Sequence, residues 1–154
     1  MPSNNKLNSR LKNRGFSLLE VLIALIILSV GLLGIAALQG VALKTNHSAY
    51  QRSQATFLSY DMMDRMRANR NAALAGNYNL ALTDNPSSSG TLAEQDLNDW
   101  INNYVAQLLP AGDGSINCDA NGLCTVTVQW DEGRAGGTAT SGGNIAQFSF
   151  TAQI

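Results

Sequence analysis

An uncharged run of eighteen residues, Val21 to Leu38, constrains this 154-residue chain more than any other feature, and its apolar character continues to Leu43. A helix needs about 20 such residues, rising 1.5 Å each, to cross hydrocarbon. Four basic residues precede the run, Lys6, Arg10, Lys12 and Arg14, with no acid among them. A basic start ahead of an apolar stretch is what secretion machinery reads, and it keeps the first fifteen residues on the cytoplasmic side. Ordinary signal cleavage does not fit. The apolar region would leave with the leader, and Leu38-Gln39-Gly40 is a poor small-residue site. Gly31 and Gly34 interrupt the run and Gly40 follows it. Small residues let membrane helices approach closely, although glycine is common there in any case. Their low helix propensity also favours local unwinding.

One residue breaks the pattern: Glu20, almost at the front of the run. A carboxylate at a helix centre in hydrocarbon costs about 2.5–3.5 kcal/mol on insertion scales, and less near an end. A simple anchor has no use for it, and an acid held there calls for a cation in the same layer. No Lys or Arg lies between Phe16 and Leu43. A cut after Gly15 would create a cation, because Phe16 would then carry a free α-amine with a reference pKa of about 7.7–8.0. That amine and the carboxylate would lie about one helical turn apart, able to pair within one chain or between stacked neighbours.

The string Gly15-Phe16-Ser17-Leu18-Leu19-Glu20, behind a short basic leader and ahead of a long apolar helix, resembles the start of type IV pilin precursors. The resemblance implies cleavage between Gly15 and Phe16 by prepilin peptidase and N-methylation of Phe16. It implies that Glu20 sets subunit register against a neighbour's N-terminus during assembly. It also implies a protein held in the inner membrane by a single span, head outside the cytoplasm, and later carried into a pilus among other major and minor pilins. Arg52-Ser53-Gln54-Ala55 and Asp64-Arg65-Met66-Arg67-Ala68-Asn69 are similar to the minor pilins of the type IV pilus modification (PilV) family. A minor pseudopilin of a type II secretion system, which uses the same leader and anchor, is the alternative. Many major pilins carry a proline in the apolar helix. Here none occurs between Pro2 and Pro86, so no melted segment is expected on that ground.

The chain then divides into a leader over 1–15, a transmembrane or filament-core helix over 16–43, and a head over 44–154. The whole chain is at net −1; without the four leader cations, six basic residues face eleven acids, a net of −5. That argues against a broad nucleic-acid-binding surface. About a hundred residues remain for the head, enough for one small core.

From Lys44 to Ala75 there is no Pro or Gly, and Ala55, Leu58, Met62 and Met66 recur at spacings of three and four. This predicts an amphipathic helix, continuous with the apolar run from Phe16 to Ala75 and stopped by Gly76. Tyr50 and Phe57 are expected to widen its apolar face. Asp61 with Arg65 and Asp64 with Arg67 are spaced as helical ion pairs. Arg65, Arg67 and Arg70 form a basic cluster, read as a solvated face because acids are interleaved.

Residues 76–90 are loop-like. Thr91 and Glu94 form a capping box for a second helix with Leu97, Ile101, Tyr104 or Val105, and Leu108 on its apolar face, ended by Pro110 and Gly112. Cys124–Trp130 and Ala146–Ile154 alternate as half-buried antiparallel strands, and a short strand near Ser115–Asn117 precedes them. Asp131–Asn144 reads as a long, mobile hairpin loop. The expected class is α+β and pilin-like, a long helix on a small antiparallel sheet with a second short helix.

Cys118 and Cys124 are the only cysteines, flanking the Asn121-Gly122 turn on a chain placed outside the cytoplasm, so a disulfide is expected. No cofactor or metal is expected. His47 is the single histidine and reads as an exposed or interfacial helix residue, and Asp96, Asp99 and Asp113 read as surface charge. Asp113-Gly114-Ser115-Ile116-Asn117 lacks the later positions of a calcium loop. Asn46-His47-Ser48 fits a glycosylation acceptor, a pattern common by chance. No catalytic constellation emerges. A membrane-tethered enzyme or receptor would leave Glu20 without a role.

Overall fold

The computed structural model describes residues 15–133 and 144–154. The leader cations and most of the expected hairpin loop, 134–143, lie outside the described residues. The chain divides into two compact units, Met1–Gly40 and Val41–Ile154.

Helix α1 (Leu18–Ala68) runs uninterrupted through Gly31, Gly34 and Gly40. Within the first unit it is long and apolar enough to cross a membrane, with a mean hydropathy of 2.9 over its best window. Every described residue there is exposed. Its hydroxyl is not left open: Ser29 Oγ donates to the Leu25 carbonyl at 2.7 Å.

The second unit has its own core. Gln51, Ala55, Leu58, Ser59, Met62, Met63 and Met66 form the buried stripe of α1. Tyr50 and Phe57 do not widen it. They are 55% and 67% exposed, because they fall on the helix flank away from the stripe that Ala55, Leu58, Met62 and Met66 define. The helix also ends earlier than expected. Asn69 leaves helical geometry (φ −116°, ψ 48°) and a short α2 (Arg70–Leu74) follows. Asn69 Nδ2 donates to the Tyr78 hydroxyl at 3.2 Å, a side-chain bond of the kind that makes asparagine a poor helix-interior residue. Gly76, at φ +78°, then stops α2. The Gly76 amide donates to Ala73 and the Asn77 amide to Ala72, a Schellman closure.

Helix α3 (Leu92–Asp99) opens on the expected capping box, with Glu94 N–H donating to Thr91 Oγ1 and the Thr91 amide donating to Glu94. It continues through a π-helical turn, Trp100–Val105, into α4 (Ala106–Leu108). The wider turn has a consequence for burial. Leu97, Ile101, Val105 and Leu109 face the core at intervals of four, while Leu108, the expected core residue, is 43% exposed.

The sheet is antiparallel in the order β1-β2-β3, with β1 Asp113–Cys118, β2 Leu123–Asp131 and β3 Ile145–Gln153. Val126 sits between Ile116 and Phe150, and Val128 opposite Phe148. Cys124, Val126, Val128 and Trp130 are all buried, as their alternation predicts. Trp100 ties the layers together, donating its indole N–H to the Leu58 carbonyl at 3.0 Å. A Cβ on Gly114 would lie 2.5 Å from the Trp100 ring, so only glycine fits there. The fold is α+β, with the arrangement expected of a pilin.

Candidate functional site

The N-terminal site is built around the first turn of α1. Gly15, Phe16 and Ser17 precede the helix. Ser17 accepts the Leu19 amide on its Oγ at 3.3 Å and the Val21 amide on its carbonyl at 3.2 Å, which makes it the cap. Leu18, Leu19 and Glu20 are then the first three helical residues. Glu20 therefore stands at the positive end of the helix dipole, where a carboxylate is favoured by about 0.3–1 kcal/mol at an exposed site. Ser17 and Glu20 have the same spacing as the Thr91–Glu94 capping box, a local signal for this cap that the sequence analysis did not use. Phe16, Glu20, Val21, Ala24, Leu25 and Leu28 line one shallow, open groove along the helix. Phe16 is 83% exposed. Among the described residues no cation lies within ion-pair distance of Glu20.

In the head, the expected disulfide between Cys118 and Cys124 is present. The two residues are direct partners at the end of the β1–β2 hairpin. Asp119 shapes the turn between them, accepting the Asn121 and Leu123 amides at 2.9 and 2.8 Å, and these bonds hold its carboxyl below the usual range.

The arginine cluster is engaged within the head rather than presented as a free basic face. Arg65 pairs with Asp61 at 3.0 Å, Asp99 at 3.1 Å and Asp96 at 3.5 Å, and its guanidinium lies 5.3 Å from the Tyr104 ring centre. Burial opposes its charge, but the hydrogen bonds and attraction of Asp99 and Asp61 prevail and raise its pKa. Asp99 is held low, first by the Asn103 amide and then by Arg65. Asp96 also accepts from the Tyr78 hydroxyl at 2.6 Å. Burial, then that hydrogen bond, pushes the Tyr78 phenol up to about 12. Arg67 pairs with Asp64 at 2.9 Å, and Arg70 donates to the Ile154 carbonyl at 3.1 Å. Asp96 and Asp99 are thus network members, not plain surface charge. Asp113 likewise accepts the Thr83 amide at 2.9 Å and the Gly114 amide at 2.7 Å.

A buried acid with distant partners was not visible in the sequence. Glu132 is 8% exposed, accepts from Ser48 Oγ and pairs with Arg52 at 3.3 Å. Its partners lie 80 and 84 residues away, a separation that leaves no local pattern. Its amide donates to the Asn144 carbonyl at 2.6 Å, so the β2–β3 hairpin end is fastened to α1. His47 is exposed, with Nε2 3.2 Å from Gln51 Nε2.

The family model of the prokaryotic N-terminal methylation motif matches residues 10–36. The match indicates a type IV pilin-like precursor. It covers Gly15, Phe16 and Glu20 together with the front of the apolar run, and the α+β head is of the same kind. No curated protein and no solved structure matches the chain.

Proposed function

We propose that the chain is a minor pilin of the PilV kind that prepilin peptidase matures between Gly15 and Phe16, and that joins a type IV pilus through its N-terminal helix. The observation that carries the reading is Glu20 in the first turn of α1, ahead of a stretch that is uncharged and apolar to Leu43, one turn after Phe16 and inside the matched motif. Before cleavage the Phe16 nitrogen is a peptide amide and offers no charge. After cleavage it is an amine, and methylation keeps it basic. A neighbour's amine then supplies the cation that a carboxylate in an apolar layer requires.

The role is assembly, not catalysis. The exposed apolar helix packs against other subunits' helices, while the disulfide-closed head stays outside the membrane. In this reading the chain sits in the inner membrane first and on the cell surface afterwards.

Mass spectrometry of the mature N-terminus tests it. A chain beginning at N-methyl-Phe16, recovered from sheared surface fractions, is the expected result. An intact leader removes the cation and with it the mechanism. The processed chain confined to membrane fractions, absent from sheared pili, would favour the pseudopilin of a secretion system. Glu20→Ala is expected to cut recovery in sheared pili by about tenfold or more, equivalent to about 1.4 kcal/mol of subunit coupling, while membrane insertion is unchanged.

A further inference from the structure

The turn between β1 and β2 carries the single Asn-Gly dipeptide of the sequence, Asn121-Gly122. The backbone nitrogen that follows an asparagine can attack the side-chain carboxamide, and glycine hinders that attack least because it has no Cβ. The turn itself requires this glycine. Gly122 has φ +83°, a conformation that residues with a side chain rarely adopt, and a Cβ there would lie 3.1 Å from Leu74 Cδ2. The labile pair therefore comes with the turn.

The fold engages both reacting groups. The Gly122 amide, the nucleophile of such an attack, donates to the Asp119 carbonyl at 3.1 Å, and Gly122 is buried. Asn121, which carries the electrophilic carboxamide, is exposed to water, but its Nδ2 donates to Asp119 Oδ2 at 3.3 Å. The end of β3 grips the same two residues from outside the turn. Gln153 Nε2 donates to the Asn121 carbonyl at 3.1 Å, and the Ile154 amide donates to the Gly122 carbonyl at 3.0 Å. The Cys118–Cys124 disulfide closes the loop at its base.

We propose that Asn121 is a site of spontaneous deamidation that the folded turn holds in check, and that its conversion releases the end of β3. The Gly122 nitrogen forms a bond to Asn121 Cγ and gives its proton to a solvent base. The Cγ–Nδ2 bond breaks, and Nδ2 takes up a proton and leaves as ammonia, so that a five-membered imide remains. Water then adds to one of the two imide carbonyl carbons, and the bond from that carbon to the nitrogen breaks. Opening at Cγ leaves aspartate. Opening at the main-chain carbon leaves isoaspartate, in which the chain runs through the side chain and is longer by a methylene. Nothing is oxidised or reduced, and the turn gains a negative charge. The Gly122 amide must leave Asp119 before it can attack, so the rate follows the population of the opened turn. After conversion a carboxylate stands where Asn121 Nδ2 donated to Asp119, and repulsion replaces a hydrogen bond. The disulfide fixes the ends of the loop, so the added length displaces the Asn121 and Gly122 carbonyls from Gln153 and Ile154.

The test holds the full-length, disulfide-bonded chain in detergent micelles in mildly alkaline buffer and follows Asn121 by peptide mass spectrometry. The same chain, reduced, alkylated and unfolded in denaturant, is followed beside it. The unfolded chain is expected to convert Asn121 faster than the folded one by about tenfold or more. Asp119→Ala and Gln153→Ala, both at exposed positions, should each speed conversion of the folded chain by about threefold or more. Unfolded, both variants should match the parent, which places their effect in the turn. In the converted folded chain the Ile154 amide should lose its protection from hydrogen exchange while the Val126 and Val128 amides keep theirs. An unfolded chain that retains Asn121, a folded chain that converts as fast as the unfolded one, variants no faster than the parent, or an Ile154 amide still protected after conversion would overturn the proposal. Every group involved lies in the head, so the outcome is independent of whether the chain assembles.

Discussion

From Leu18 to Gly40 every residue of α1 is exposed, whereas farther along the same helix Leu58, Met62 and Met66 are almost wholly buried. The two stretches have the same backbone and hydrogen bonding. What differs is where each finds apolar cover. The head provides its own, from Trp100, Val126, Val128 and Trp130. The first stretch has none within its own unit and must take it from lipid or from other helices. The acids follow the same division. Glu132 is buried and answered by Ser48 and Arg52 from the same chain. Glu20 stands in an apolar stretch with no cation near it among the described residues, and the proposed maturation would supply one. One unit buries its own apolar side chains; the other leaves them exposed.

Paired truncations probe this contrast most strongly. Leu58→Ala should destabilise the head by about 2–5 kcal/mol, since it removes a fully buried side chain. Leu33→Ala, equally large a deletion in the exposed stretch, should leave thermal unfolding of the head in detergent unchanged. Similar losses for both would dissolve the distinction. Gly114→Ala comes next. It forces a methyl group onto the Trp100 ring and should cost about 1–3 kcal/mol by denaturant unfolding, whereas Gly34→Ala meets open space and should not affect the head.

The smallest effect is on pH. The folded state holds the Tyr78 proton to about 12, against about 10 in an unfolded chain. The neutral phenol is the form that the fold favours. Its contribution is therefore fully present below about pH 10 and is lost as pH rises toward about 12. Tyr78→Phe should flatten that part of the stability profile, measured as melting temperature against pH. An unchanged slope would mean that Tyr78 is not the group responsible.

Local signals were legible wherever neighbouring residues decide the outcome. Thr91 and Glu94 announced a helix start, Gly76 a stop, and the alternation around Val126 and Phe148 two half-buried strands. The cysteines, six apart across a turn, announced their bond. The candidate site residues Gly15, Phe16 and Glu20, which fall inside the matched motif, stood out because an acid at the mouth of an apolar run is conspicuous without any fold.

Other outcomes depended on residues that meet only when the chain is folded. Asn69 breaks the helix where Tyr78 offers its side chain a partner. The π turn at Trp100–Val105 exchanges Leu108 for Leu109 in the core. Tyr50 and Phe57 stay outside because the buried stripe turns away from them. Arg65 acquires Asp96 and Asp99 from about thirty residues away, and Glu132 acquires Ser48 and Arg52 from more than twice that distance. Local dihedral preferences, hydrophobic period and a conspicuous charge are written along the chain, so the sequence alone determined the long apolar helix, the cap, the strands and the crosslink. Burial and ion-pair partners depend on which distant surfaces meet, and these were decided only by the tertiary structure.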